Sequence, residues 1–174
     1  MLRGSYGSIF YGCITLDGYI ATKEHNLDWL NDTGTTEETT YDTFYSHMDI
    51  TLMGRRTFAE IAKSEAPAQF YPTTENYVFT HRPLDCPGFT AVDANPAAFV
   101  KDLGTERNIW VIGGNTILAP MLEQNLVDYL IVQIAPVLLG DGIPLFTQQE
   151  ALRRFRLESV QQYGPFAELV YRKV

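Results

Sequence analysis

Apolar residues run along this chain in blocks of two kinds, and the two kinds alternate. Ser8 to Thr15, Ile50 to Met53, Asn76 to Thr80 and Ile109 to Ile112 are compact runs of strand length. Ile109 to Ile112 is apolar throughout, as in a strand covered on both faces. Between these runs the spacing widens to that of a helix. Tyr41, Phe44, Tyr45 and Met48 fall at i, i+3, i+4 and i+7, and Thr35 with Glu38 makes a capping box ahead of them. Phe58, Ile61 and Ala62 mark the inner face of a second helix, with Thr57 and Glu60 as its capping box. Asn95-Pro96 opens a third, a capping residue followed by proline at the first helical position, with Phe99, Val100 and Leu103 turned inward. Ile117, Leu118, Met121 and Leu122 give a fourth its buried side, and Pro120 is expected near its first turn, where N–H groups lack partners anyway.

Tyr129 to Leu139 reads as a long strand closed by Gly140-Asp141-Gly142. Phe155 to Tyr163 and Phe166 to Tyr171 read as an antiparallel hairpin turning at Gly164-Pro165. Strands alternating with helices and then a hairpin predict an α/β fold, with a mainly parallel sheet and antiparallel closing strands. No repeat or linker divides the 174 residues, so a single domain over 1–174 is expected.

Composition narrows the partners. The chain is 45% hydrophobic and 13% aromatic, as a folded domain is. Its net charge of −8 argues against nucleic acid and anionic membrane as main partners. In so acidic a chain, local basic clusters carry more information. Arg55, Arg56, His81 and Arg82 gather at two strand exits, whereas Arg153, Arg154 and Arg156 read as solvated surface. Cys13 and Cys86 fit no metal spacing and are expected to be free thiols, with no metal bound. Ile9 to Leu16 is short and broken by Gly12, so it reads as neither signal peptide nor membrane span, and a cytoplasmic protein is expected.

Three strand exits carry candidate chemistry. Met53-Gly54-Arg55-Arg56-Thr57 and Ile112-Gly113-Gly114-Asn115-Thr116 each lead from a strand into a helix, so each aims unpaired N–H groups at whatever lies beyond the sheet. Two such phosphate-suited starts in one small domain suggest a dinucleotide. Gly113-Gly114 lets backbone approach a pyrophosphate, although two glycines also serve a tight turn. Arg55 and Arg56 offer forked donors to phosphate oxygens, although a solvated pair of charges fits as well. Thr80-His81-Arg82 would suit a ribose 2′-phosphate, the group that separates NADP from NAD. The chain lacks the G-x-G-x-x-G pattern of a standard Rossmann domain.

Four motifs in order, Leu16-Asp17-Gly18-Tyr19-Ile20-Ala21, Met53 to Phe58, Trp110-Val111-Ile112-Gly113-Gly114 and Pro136 to Phe146, resemble the dihydrofolate reductase-like superfamily. The chain looks most like the branch holding the reductase domain of the bifunctional riboflavin-biosynthesis deaminase/reductase. The resemblance implies a three-layer fold, a mainly parallel mixed sheet with helices on both faces, and NADPH as cofactor. It implies that Gly54, Arg55, Arg56 and Thr57, with Gly113, Gly114, Asn115, Thr116, Ile117 and Leu118 after Ile112, hold the pyrophosphate and adjoining ribose. Arg55, Thr80, His81 and Arg82 would surround the 2′-phosphate, and Gly12, Cys13, Ile20 and Ala21 would line the nicotinamide pocket. The segment from Tyr19 to about Trp29 would close over the site, and the resemblance also suggests a homodimer.

Folate-reducing members of the superfamily carry a carboxylate on the first helix. No position here matches it cleanly; Glu38 is the nearest candidate and Asp42 the next, and Glu38 is equally the capping partner of Thr35. The expected activity is NADPH-dependent reduction of a small heterocycle, most simply the 5-amino-6-(5-phosphoribosylamino)uracil-type reduction of riboflavin synthesis. The alternatives are dihydrofolate reduction, or an NADP-binding module without catalysis.

Overall fold

A computed structural model describes residues 7–104, 106–147 and 151–174. The strand-length apolar runs become β1 (Gly7–Thr15), β3 (Ile50–Gly54), β4 (Glu75–Phe79) and β6 (Asn108–Gly113), and the long run yields β7 (Tyr129–Ala135). The hairpin is β9 (Phe155–Tyr163) and β10 (Phe166–Lys173). Three strands go beyond the sequence pattern: β5 (Phe89–Val92), and the short pair β2 (Tyr19–Ala21) and β8 (Ile143–Pro144). The main sheet has eight strands in the order β5-β4-β3-β6-β1-β7-β10-β9. Every pairing from β5 to β7 is parallel, and β10 runs antiparallel to both β7 and β9. This is the mixed, mainly parallel α/β sheet with a closing hairpin that the alternation implies.

Period-two alternation sorts the strand side chains into two layers. Phe10, Ile50, Leu52, Ile109 and Val111 pack under α4 (Pro96–Leu103) and α5 (Asn115–Glu123). Ile9, Tyr11, Met53, Val78 and Trp110 pack on the other face, with Phe44 and Met48 in and after α2 (Tyr41–Tyr45), and Phe58 and Ile61 of α3 (Arg55–Ile61). The remaining helix, α1 (Asp28–Asn31), is a single turn that buries Trp29. Trp110 is ringed by Tyr11, Tyr41, Phe44, Tyr45 and Tyr71 at centroid distances of 5.4–6.3 Å, and its Nε1–H donates to the Tyr11 carbonyl at 3.1 Å.

Local signals are met in part. Asn95 caps α4 as expected, its Oδ1 accepting from the Ala97 and Ala98 N–H groups. Only one arm of the Thr35/Glu38 box forms, the Thr35 N–H donating to Glu38 Oε2 at 3.0 Å. The Thr57/Glu60 box does not form. Helix α3 starts at Arg55, three residues earlier than that box requires, and Glu60 pairs with Lys63 instead. Ala62 lies just past the helix and is exposed, so Phe58 and Ile61 alone face inward. Pro120 is inside α5, where it removes an interior hydrogen-bond donor rather than using a free first-turn position. Strand β7 stops at Ala135, because Pro136 cannot continue the ladder. Cys13 and Cys86 are free thiols.

Candidate active site

Parallel strands leave their carboxyl ends open for ligands, and here those ends meet in one cleft of about 1260 Å³. β3 delivers Gly54 to it, β4 delivers Phe79 with Thr80 beyond, and β6 delivers Gly113. From β1 come Gly12 and Cys13, and from β2 come Ile20 and Ala21. Arg55, Arg56 and Thr57 line it from the first turn of α3, and Asn115, Thr116 and Ile117 from the first turn of α5, next to Ile112. His81 completes the set. Two residues expected there are elsewhere. Leu118 is fully buried in the core, where it packs with Ile117, Met121 and Leu122. Arg82 is exposed and does not line the cleft; its N–H donates to Thr80 Oγ1 at 3.1 Å.

The glycines answer whether a pyrophosphate fits. Gly113 has φ +115°, which itself calls for glycine, and a Cβ there would meet nothing within 4 Å. Gly114 is extended, with φ −74° and ψ −152°. A Cβ on Gly114 would touch only Ile20 Cδ1, at 3.5 Å. Packing does not require glycine at 114, and the space it leaves opens toward the cleft. The peptide between these two glycines is cis. No side chain caps α3 or α5, so their first N–H groups stay available.

Basic side chains gather in one region of the cleft. Arg55 lies over the Phe58 ring at 5.7 Å, and among the described residues its fork makes only a 3.5 Å contact with the Pro83 carbonyl. Arg56 meets the His25 imidazole, which ties α3 to the segment after β2 that was expected to close over the site. His81 is paired with Asp93, a carboxylate that also lines the cleft. Asn115 Nδ2 donates to the Pro144 carbonyl at 3.0 Å, joining the α5 start to β8.

The thiol and phenols that line the floor are neutral. Burial pushes the Cys13 thiol up to about 12, against small opposing help from the Ala135 and Ile14 backbone. Burial likewise raises the Tyr41 phenol to about 12 and lifts Tyr11 and Tyr71 above their ordinary range. All four therefore stay protonated near neutrality.

Glu38 does not line this cleft. It is exposed, its carboxylate serving the Thr35 N–H and packing beside Gly34 and Gly164 of the hairpin turn. Asp42 is exposed as well and also stands outside. The polar groups at the floor are instead Tyr11 and Gln133, with Glu168 behind them. Sequence pattern had no means of pairing these three, because β1, β7 and β10 meet only through the sheet order. The one available signal was a glutamine and a glutamate placed in otherwise apolar strand runs. Among the described residues no cluster of His, Cys, Asp or Glu could hold a metal, and no helix is long and apolar enough to cross a membrane.

Sheet order, helices on both faces and the glycine-floored cleft define a protein of the dihydrofolate reductase-like fold. The description of the RibD C-terminal domain matches residues 9–168, and the chain belongs to that family, whose members are of reductase type. It is similar to two proteins of Bacillus subtilis (strain 168). It is 30% identical to the uncharacterized protein YwjB over 168 residues, covering 94% of this chain and 96% of that one. To the uncharacterized protein YyaP it is 30% identical over 158 residues, 76% of each. A putative riboflavin biosynthesis protein from Shewanella sp. PV-4 shares the fold with a TM-score of 0.82 at 23% identity, over 97% of this chain and 99% of that one. The diaminohydroxyphosphoribosylaminopyrimidine deaminase/5-amino-6-(5-phosphoribosylamino)uracil reductase from Thermotoga maritima shares it with a TM-score of 0.72 at 12% identity, this chain spanning 58% of that one.

Proposed function

We propose that the chain is an NADPH-dependent reductase of a small nitrogen heterocycle, with a pyrimidine of the 5-amino-6-(5-phosphoribosylamino)uracil type as first candidate. The observation that carries this reading is the open space at Gly114, next to the uncapped start of the nine-residue α5. A dinucleotide pyrophosphate accounts for that space; helix packing does not. Gly113, Gly114 and the N–H groups of Asn115 and Thr116 would hold the pyrophosphate, and Arg55 with Thr80 would face the adenosine 2′-phosphate. Gly12, Cys13, Ile20 and Ala21 would form the nicotinamide wall. Bound NADPH supplies a hydride, and the protein supplies orientation and a floor whose thiol and phenols are neutral. A thiol held protonated at Cys13 suits that wall, since it adds neither charge nor a nucleophile.

The family and the Thermotoga enzyme's stated activity support a pyrimidine over dihydrofolate, and the position of Glu38 outside the cleft points the same way. The test is oxidation of NADPH, followed at its near-ultraviolet absorbance, with pyrimidine and pterin substrates in parallel. Turnover of the pyrimidine alone supports the reading. Turnover of dihydrofolate alone would replace the substrate, and NADPH binding without turnover of any substrate would leave a binding module.

A further inference from the structure

Four side chains from three strands and a loop close a hydrogen-bonded circuit at the cleft floor. Gln133 on β7 donates through Nε2 to the Tyr11 hydroxyl at 2.7 Å and to Glu168 Oε2 at 3.0 Å. Thr40 Oγ1 donates to the same Glu168 oxygen at 2.7 Å. With the Thr40 proton spent there, the 3.3 Å contact between Tyr11 and Thr40 has the phenol as donor. Gln133 and Glu168 are each only 5% exposed, and they are direct partners in the β7–β10 register.

The circuit fixes which way the amide points. A carboxylate oxygen accepts, so the NH₂ end must face Glu168, and both amide hydrogens are used inside the protein. Gln133 Oε1 is left over. It accepts no hydrogen bond among the described residues, yet it is not among their sealed, unpartnered atoms, and Gln133 lines the cleft. The cleft thus presents one oriented, bare acceptor on a buried side chain, and its lining includes Tyr41, Trp110 and Phe166. The arginines that line the cleft, Arg55 and Arg56, belong to none of the segments that bond Gln133.

We propose that Gln133 selects the substrate, its Oε1 accepting a hydrogen bond from a ring N–H or amino group of a flat heterocycle, with Glu168 as the residue that positions it. This rests on the reductase reading above and narrows it to rings that present a donor edge. An acceptor held without rotational freedom discriminates against rings that lack the donor, because they leave it buried and unpaired.

The test uses 6-aminouracil, which carries donors, and 1,3-dimethyluracil, which has none, as probes of the NADPH-loaded protein, with binding read by saturation-transfer NMR. Wild type should bind 6-aminouracil. Gln133→Leu should weaken that binding by about tenfold, the loss of roughly one hydrogen bond, with NADPH affinity close to wild type. The change also strands Tyr11 and Glu168 and lowers the unfolding temperature, so binding is read at a temperature where both proteins are folded. Binding of 1,3-dimethyluracil should not distinguish the two proteins. Glu168→Ala should weaken 6-aminouracil as Gln133→Leu does, and Glu168→Gln should restore it, because an amide oxygen still accepts from Gln133 and Thr40. Equal 6-aminouracil binding by wild type and Gln133→Leu overturns the proposal, as does no binding to a wild-type protein that takes up NADPH. Failure to take up NADPH strikes the reductase reading instead, and 6-aminouracil binding to the NADPH-free proteins then decides the role of Gln133.

Discussion

The carboxylate of Asp17 accepts the N–H of Gly140 at 2.7 Å, joining the first turn of the chain to the loop after β7; the Leu139 N–H adds a second bond at 3.2 Å. Two motifs far apart in sequence, Asp17-Gly18-Tyr19 and Leu139-Gly140-Asp141, are one structure, and β2 and β8 pair beside it. The Thr15 hydroxyl, donating at 2.6 Å, is the main reason that this carboxyl lies below the usual range, with the two backbone donors adding to it.

Asp17→Ala should therefore loosen the nicotinamide side of the cleft without unfolding the domain. Amide exchange at Leu139 and Gly140 should quicken by about tenfold or more, and NADPH affinity should fall severalfold. In the wild type the tie is present above the ordinary carboxylate pKa and is lost as pH falls through the lower folded value. Protection of these two amides should thus persist through pH 4 and fade only below it. Unchanged exchange in Asp17→Ala would mean that the loop is held by other contacts.

Gly114→Leu should fold and fail to bind NADPH, because the space its side chain enters belongs to the ligand and not to the core. Calorimetry and a thermal melt on the same sample separate the two effects. A melt like wild type with intact NADPH binding would remove the pyrophosphate from this position.

Removing charge at Arg55 should weaken NADPH by about tenfold or more and NADH by much less. Arg82→Ala should change neither, since Arg82 stands outside the cleft. Equal losses for both nucleotides in Arg55→Ala would place the 2′-phosphate elsewhere.

Cys13 should resist iodoacetamide at pH 8, because a thiol pushed up to about 12 is almost wholly protonated there. Its raised folded value also sets a sign for stability. The contribution is complete below the ordinary thiol pKa of 9.0 and declines from there toward 12, as the unfolded chain ionises first. Urea midpoints measured from pH 7 to pH 10 should fall less steeply in Cys13→Ala than in wild type.

Asn76→Leu should be among the more damaging core changes. Its amide accepts from Thr51 and Thr74 at 2.7 Å each and donates to the Tyr71 and Gly88 carbonyls at 3.0 Å each. Stranding these partners should lower stability by about 3 kcal/mol, read from chemical denaturation.

Period and punctuation made the parallel core legible in sequence, since Ile50 to Met53 and Ile109 to Ile112 can serve only as covered strands. The Gly113-Gly114 exit was legible for the same reason. β5 escaped because Phe89–Val92 is short and half exposed, buried firmly only at Phe89. β2 and β8 escaped because each exists only by pairing with the other. Glu38 drew attention through its spacing, while Glu168 and Gln133 hid in strand runs. Their meaning depends on the neighbours that β7 and β10 become once the hairpin folds back.

The most direct test of the account is a parallel titration with NADPH and NADH, read by energy transfer from Trp110, which lines the cleft. Saturable quenching of tryptophan fluorescence by NADPH, with clearly weaker binding of NADH, is the predicted result. No saturable binding of either nucleotide would contradict the cofactor site and, with it, the reductase.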